Sequence, residues 1–489
     1  MKQLMSKKIG LIFIAIQFLL TIGIIGILLY VDMLPNKYLL VIVLGLIFVL
    51  LYTFFSQMSK RLYILGRVLS GVFCVMMIFA GGYILRGYMA INNMANSNIR
   101  YDKLSAIVLV DDKAQTINDA IDYEYGIISA IGREHTDAMI DSIQKDSGKT
   151  LAINEYNDIM SLVDALYNKE VGVIIFNEAY RETIIENRKG FDTETRVLGN
   201  YQVETVVEVE EEEDKTDDLK KPFVMYLSGI DTRGSISLTS RSDVNILAVI
   251  NPETAQILLI NTPRDYYVPL SISNGTCDKL THAGIYGIDV SIETLEMLYD
   301  VDIDHYVRVN FSGFEKVVNA LGGVDVYSDV SFTSDWGPSF SKGYNHVDGK
   351  QALAFCRERH HFSDGDRQRG RNHQHMIAAI LDKATSPKII TKYSSLLKSL
   401  EDSFETNMKT KRITKYVKLQ MDEGLKWKIN SMSVDGKGGS NYTYSIPSQK
   451  AYVMYPDEAS IENAKKAIQK ILDGKKLKSE EDSGINKEQ

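Results

Sequence analysis

A chain of 489 residues with a formal charge of -8 is too long for one ordinary soluble domain. Its acidic balance speaks against a nucleic-acid binder, and no helix-turn-helix pattern is recognisable. Three cysteines are too few for a disulfide framework.

Three apolar runs open the chain: Ile9 to Val31, Tyr38 to Phe55 and Leu62 to Leu85. Each holds about 18 to 24 residues, enough to cross a hydrocarbon core of about 30 Å. The first lacks a small-residue cleavage site and two more spans follow at once. All three are therefore expected as retained transmembrane helices, forming an anchor over residues 1–96. Lys2, Lys7 and Lys8 precede the first span, and Lys60, Arg61 and Arg67 lie at or just inside the boundary between the second and third. The connector from Asp32 to Lys37 is nearly neutral. The positive-inside bias thus predicts a multi-pass cell-membrane protein with a cytoplasmic N-terminus and everything after about Arg86 outside. Arg67 falls within the third run, where snorkelling to the cytoplasmic interface is expected. Cys74 should pack in a span, and Cys277 and Cys356 are expected to stay unbridged.

Residues 97–203 read as a small accessory α/β unit. Ala106 to Val110 and Val171 to Phe176 have strand character, and Thr136 to Lys145 and Tyr156 to Asn168 have helical spacing. Nothing in the unit clusters catalytic residue types, so packing, spacing or oligomerisation is its expected role. The acidic block over 204–221, closed by Pro222, reads as a solvated linker.

The large domain is expected over 222–473. Phe223 to Ile230 is a strand, and Asp243 to Ile250 with Gln256 to Asn261 form a hairpin turned by Asn251, Pro252 and Glu253. Ile292 to Tyr299 and Ser312 to Leu321 are amphipathic helices, and Val324 to Tyr327 is another strand. A long helix runs from about Asp366 to Lys383, with Met376, Ile377, Ile380 and Leu381 on its core side. Mixed strands and helices in one unit predict an α/β fold, an α-β-α sandwich around a central mixed sheet. Residues 474–489 read as a disordered tail.

Five arginines and three aspartates stand at turns and element ends of this domain: Asp231, Arg241, Asp243, Arg264, Arg357, Arg359, Asp366 and Arg369. Guanidinium forks suit phosphate oxygens and paired carboxylates suit a hard divalent cation. Arg241 and Asp243 leave one face of a strand, Arg357 and Arg359 repeat that spacing, and Asp366, Arg369 and His373 share a helical stripe. Any one pair is more simply a surface ion pair of little worth. The whole set favours a phosphate site, because the arginines bracket apolar strand ends instead of polar helix faces. His360, His361, His373 and His375 have neither zinc-site spacing nor suitable neighbours. Phe311, Phe314, Val318 and Leu321 could line a trough for a lipid chain, but the same stripe marks any core-facing helix, which is the better reading.

The blocks SGIDTRG, TSRSDVNILAVINPET, LLINTPRDYYVPL, DKLTHAGIYG, GGVDV and ALAFCRERHHFSDGDRQRGRNHQ, in that order from Phe223 to Leu381, resemble the LytR-CpsA-Psr family. The three spans and the accessory unit are similar to its capsule-associated branch in Gram-positive bacteria. The resemblance implies a phosphotransferase that moves capsular polysaccharide or a related wall glycopolymer from a polyprenyl pyrophosphate carrier to peptidoglycan. It implies Mg²⁺ (or Mn²⁺ in its place), a pyrophosphatase side activity, membrane lipid as a partner, and company among other capsule-assembly membrane proteins. By the same resemblance Asp231 and Asp243 are the metal ligands, and Arg241, Arg264, Arg357, Arg359 and Arg369 bind the pyrophosphate. Lys279 falls in the Lys-x-x-His-Ala block and Asp366 opens the Asp-x-x-Arg helix. Arg264, Asp243 and Asp366 are the expected catalytic residues, with His373 added to the pyrophosphate set. The family's usual Arg-Gln is replaced here by Asn372 and His373, with Arg371 and Gln374 beside them. Two other functions stay open from sequence: a membrane-bound transcriptional regulator or attenuator of capsule genes, and a hydrolase of polyprenyl pyrophosphate.

Overall fold

The structure is a computed structural model, which describes residues 2–59, 61–95, 99–129, 132–206, 218–230, 235–362, 365–386 and 403–477. Its N-terminal third begins with three helices, α1 (Lys2–Val31), α2 (Asn36–Met58) and α3 (Tyr63–Ala95), each long and apolar enough to cross a membrane. Only a helix satisfies its own backbone groups in hydrocarbon, so runs of this composition have little other choice. Polar side chains inside the bundle pair with one another: Ser70 donates to Gln17 at 2.6 Å and Arg67 Nε to Gln57 Oε1 at 2.9 Å. Arg67, expected only to snorkel, is thus also held by a neighbour on α2. Helix α3 continues past the expected end at Leu85 because its last turns bury Ala90 and Ile91 against Ile413 of the globular part.

Residues 99–206 form a five-stranded sheet built from β1 (Ile99–Leu109), β2 (Glu124–Ile128), β3 (Ala152–Tyr156), β4 (Val173–Asn177) and β5 (Thr195–Val206), in the order β3-β2-β4-β1-β5. Helices α4 (Arg133–Ser147) and α5 (Ile159–Tyr167) cover its two faces, each burying an apolar stripe. A short helix, α6 (Arg181–Asn187), follows β4. Strand β5 pairs with β1 as far as Val206, so Glu204 to Val206 belong to this sheet and not to the expected linker. The rest of that acidic stretch, 207–217, lies outside the described residues.

The large domain is built on a six-stranded mixed sheet. Its strands are β6 (Phe223–Ile230), β7 (Ser242–Asn251), β8 (Gln256–Thr262), β9 (His305–Asn310), β10 (Phe404–Thr406) and β11 (Lys428–Ser433), ordered β10-β9-β6-β7-β8-β11. β6, β7 and β8 run antiparallel, while β9 and β11 join the two sides in parallel. Strand β8 is buried at every position, as a strand covered on both faces must be. One face packs α7 (Ile288–Tyr299) and α12 (Glu458–Leu472) around Tyr226, Leu247, Val249 and Ile260. The other packs α10 (Asp366–Thr385) through Ile377 and Leu381 onto Ile246, Ala248 and Leu259. The result is the expected α-β-α sandwich.

Helix α10 shares itself between two cores. Met376 and Ile380 turn away from the sheet toward α8 (Phe311–Ala320) and α9 (Gly349–Arg357), where Val318 and Leu321 are also buried. Those two residues, with Phe314 packed beside them, belong to the core. Leu477 is buried and the Lys475 carbonyl accepts from Gln256 Nε2 at 3.3 Å, so the expected tail is folded that far. Residues 478–489 lie outside the described residues. All three cysteines are unbridged.

The globular mass meets the anchor through α11 (Thr410–Glu423). Lys418 reaches Asp32 at 2.6 Å, Lys37 reaches Asp422 at 3.1 Å, and Thr410 donates to Asn92. The connector between α1 and α2 therefore sits at the same end of the bundle as the large domain.

Candidate functional site

The site lies at the edge of the sheet where β6 and β8 end and β7 begins. Ile230 pairs with Ser242 across a bulge, which places Arg241 and Asp243 at the mouth of the sheet. After β8 a tight turn, Tyr266 N–H to Pro263 O at 3.1 Å, throws Arg264 and Asp265 over the same edge. The Thr281 and Leu280 amides bond back to the Arg264 and Tyr266 carbonyls, which brings Lys279 alongside. That segment is pinned by Asp278, whose carboxylate lies 2.7 Å from His282 Nδ1 and accepts the Ser445 amide at 2.8 Å.

Arg264 Nη1 donates to Asp243 Oδ1 at 2.8 Å, and the Thr281 hydroxyl donates to the same oxygen at 3.1 Å. Arg264 Nη2 donates to Glu186 at 2.6 Å, and Arg241 Nη1 lies 2.9 Å from the same carboxylate oxygen. Lys279 Nζ stands 3.2 Å from Asp265 and 3.8 Å from Glu186. Arg241, Arg264, Asp265 and Lys279 are all buried. Burial by itself would raise the Asp243 carboxyl; Arg264, then Arg241 and Arg369, outweigh it and hold it well below the ordinary carboxylate range. Glu186 behaves alike: Arg241, Arg264 and Lys279 overcome its burial and pull it down to about 2.

The cations are nevertheless under-supplied with acceptors. Among the described residues, Arg241 Nε and Nη1 and Arg264 Nε are buried without a hydrogen-bond partner; the Arg241 to Glu186 approach is close but misaligned. Buried guanidinium N–H groups are costly to leave unpaired, so a site built this way suits further oxygen acceptors.

Helix α10 supplies Arg369 and His373. Gly370 lets the helix lie against Asn261 at the end of β8, where a side chain would collide, and Gln374 bonds the Leu259 carbonyl at 3.2 Å. Arg369 acts electrostatically on both Asp243 and His373. His373 Nε2 lies 2.9 Å from the Cys356 carbonyl, and burial followed by Arg369 pushes the ring down to about 3. A neutral imidazole that donates through Nε2 leaves a lone pair at Nδ1, which repels phosphate. His373 is therefore a fastener between α9 and α10 and not the anion donor expected from its place in the stripe.

Arg357 and Arg359 do not form the paired edge that their spacing suggested. Arg357 closes α9 while Glu358 is already extended, so the alternation of a strand does not apply. The Glu358 carboxylate turns inward and accepts the backbone amides of Arg359, His360 and Asp335. Arg357 lies between the rings of Phe311 (4.6 Å) and Trp336 (4.5 Å), and Arg359 is exposed beside His360. No described contact links either arginine to the Arg264 group. Asp335, Glu358 and His360 come close enough to hold a cation, although the Glu358 oxygens are occupied by amides. Asp231 and the side chain of Asp366 lie outside the described residues, Asp231 directly following Ile230 in sequence.

Sequence reasoning missed Asp265, Thr281 and above all Glu186, which comes from the accessory domain. That domain, expected to serve packing, spacing or oligomerisation, is docked against the large domain. The Tyr101 amide and carbonyl bond Ser237 and Thr239, Arg100 grips Asp289 at 2.6 Å, and Ile184 and Phe191 share a core with Ile285 and Ile446. Nothing in the spacing around Glu186 marks it out.

The LytR_cpsA_psr family model matches residues 186–470, more than half of the chain. The chain belongs to the LytR-CpsA-Psr family. A relative from Bacillus cereus (strain AH820), named polyisoprenyl-teichoic acid--peptidoglycan teichoic acid transferase TagU, is 35% identical over 189 residues, covering 38% of this chain and 61% of its own. The protein of that name from Enterococcus faecalis is 34% identical over 191 residues, 39% of this chain and 62% of its own. The chain thus spans less than two thirds of the relatives it matches. The crystal structure of TagV from B. subtilis is 29% identical, with a TM-score of 0.43, covering 52% of this chain and 98% of its own.

Proposed function

We propose that the protein transfers capsular polysaccharide or a related wall glycopolymer from a polyprenyl pyrophosphate carrier to peptidoglycan, on the outer face of the membrane. One observation carries this reading: buried, acceptor-poor guanidiniums of Arg241 and Arg264 gathered with Lys279 and Arg369 around Asp243 and Glu186. Phosphoryl transfer asks mainly for positioned reactants and neutralised oxygens, which such a cluster supplies. The naming of the relatives as teichoic acid transferases supports the same chemistry.

Arg241, Arg264 and Lys279 would take the non-bridging oxygens of the pyrophosphate, and Arg369 those nearer α10. A sugar hydroxyl of peptidoglycan attacks the glycan-bearing phosphorus, the bond to the carrier phosphate breaks, and polyprenyl phosphate leaves with the hydroxyl's proton. The oxygen donors of Asp243 and Thr281 suit a hard cation, with Asp231 next in sequence to the neighbouring strand end. Those aspartates would hold Mg²⁺, which when bound supplies Lewis-acid stabilisation of the transferring phosphate. Arg357, stacked between rings at the edge of α9, would meet the glycan side of the ligand.

Transfer of a lipid-linked glycopolymer to peptidoglycan in vitro tests the assignment. Arg264→Ala and Asp243→Ala should each abolish transfer, and near wild-type rates for both would sink the reading. Outward placement of residues after about 86 is tested by a reporter fused after Glu204. A fusion active only as a cytoplasmic reporter would favour the regulator instead. The docking of α11 at the Asp32 to Lys37 end supports the proposed topology, because it sets the globular mass opposite Lys2, Lys7, Lys8 and Arg61.

A further inference from the structure

Glu186 belongs to a different domain from every cation it touches. It stands at the last turn of α6, whose Ile184 is fully buried in the core shared with Ile285 and Ile446. The helix is therefore fixed, while the Glu186 side chain is 32% exposed and forms the outer lip of the site. Its two carboxylate oxygens lie among Arg241, Arg264 and Lys279, in the position that phosphate oxygens would need.

Charge counting shows what it does there. Among the described residues, three cations (Arg241, Arg264 and Lys279) pair with three carboxylates (Asp243, Asp265 and Glu186), and Glu186 is the one of the three from outside the large domain. Yet it leaves Arg241 Nε and Nη1 without an aligned acceptor. A carboxylate offers fewer oxygens than a pyrophosphate, so it neutralises the cluster without saturating it. Two anions held by the same guanidiniums repel each other, and rotation of one exposed side chain is enough to clear the space.

We propose that Glu186 is an internal competitor for the anion site: it occupies Arg241, Arg264 and Lys279 when no ligand is bound, is swung aside by a pyrophosphate, and returns as the product phosphate departs. This rests on the reading of the cluster as an anion site. Through Glu186 the accessory domain sets the apparent affinity of the site. A site occupied by its own carboxylate about nine-tenths of the time binds an external ligand roughly tenfold more weakly than its intrinsic affinity.

The test is calorimetric titration of the full chain in detergent with inorganic pyrophosphate, comparing wild type with Glu186→Gln, Glu186→Ala and Arg264→Ala. Thermal melts confirm that each variant is folded; the glutamine keeps the volume of the native side chain and the alanine removes it. Both Glu186 variants should bind on the order of tenfold more tightly than wild type, and Arg264→Ala more weakly. Equal or weaker binding by both Glu186 variants, with Arg264→Ala still impaired, would overturn the competitor and leave the anion site standing. Affinities identical across all four chains, or no binding by any, would overturn both.

Discussion

Arg264 donates to Asp243 Oδ1 at 2.8 Å, an ion pair that joins the turn after β8 to the start of β7 and is nearly sealed from water. Removing either partner leaves a buried charge facing the other cations or anions of the cluster. Arg264→Ala should therefore lose stability as well as transfer, by about 1–3 kcal/mol, because Arg241 and Arg369 still face Asp243. Arg264→Lys keeps the charge but cannot serve Asp243 and Glu186 together, so it should stay folded and lose transfer by about a hundredfold. Urea unfolding and in vitro transfer check the two arms; a lysine variant with wild-type turnover would refute the need for a fork.

His373 gives a pH prediction. Its folded pKa, about 3, lies below the ordinary 6.5, so the folded protein keeps the ring neutral while the unfolded chain takes up a proton. The stability this contributes is complete above about pH 6.5 and is lost as pH falls toward 3. His305, held near 4 by burial and Arg412, adds to the same limb. His373→Gln should flatten part of the slope between pH 6.5 and 4 and keep transfer within about threefold of wild type. Denaturant midpoints across that range decide it; unchanged slopes would show that the histidine does not titrate on unfolding.

Arg357 is set by two rings. Trp336→Ala removes one face of the stack at a half-exposed position and should cost about 0.5–2 kcal/mol. If Arg357 meets the ligand, the freed guanidinium should raise KM for the lipid-linked substrate more than it lowers kcat. An unaltered KM would confine Trp336 to folding.

The anchor and the large domain are coupled through Lys418 and Asp32. Such an exposed pair is worth about 0.2–1 kcal/mol, so Lys418→Glu should loosen the docking without unfolding the domain. Hydrogen exchange at α11 should quicken in that variant and recover when Asp32→Lys is added. Failure of the second change to rescue would place the coupling in the remaining contacts, Lys37 with Asp422, Thr410 with Asn92 and the apolar packing of Ile413.

Leu477 tests the extent of the fold. It is buried against the large domain's core, so Leu477→Ala should cost about 2–3 kcal/mol. A truncation after Gly474 with unchanged melting would return that segment to the tail.

Much of this protein is dictated locally. Apolar runs long enough to span hydrocarbon, the alternation of Phe223 to Ile230, the turn at Asn251 to Glu253 and the helical stripe of α10 each follow from steric and hydrophobic rules acting over a few residues. They fixed the three spans, the mixed sandwich and the presence of arginines at strand ends. Residue types also raised the expectation of phosphate chemistry, since guanidinium forks suit phosphate oxygens. Spacing misled where an element changed type between two residues, as at Arg357 and Arg359, because one helical and one extended residue do not alternate.

What joined Arg241, Asp243, Arg264 and Lys279 was long-range: three strand ends, a bulge and a returning segment had to meet at one edge. Whether His373 carried a proton depended on burial and on Arg369 one turn away, neither of which is a property of a histidine in a sequence. Glu186 shows the limit most plainly. Its helix is ordinary, and only the packing of Ile184 against Ile285 and Ile446 brings a carboxylate from one domain into the cations of another. Electrostatic energy depends on distance through space, and distance between domains is written in the packed structure alone.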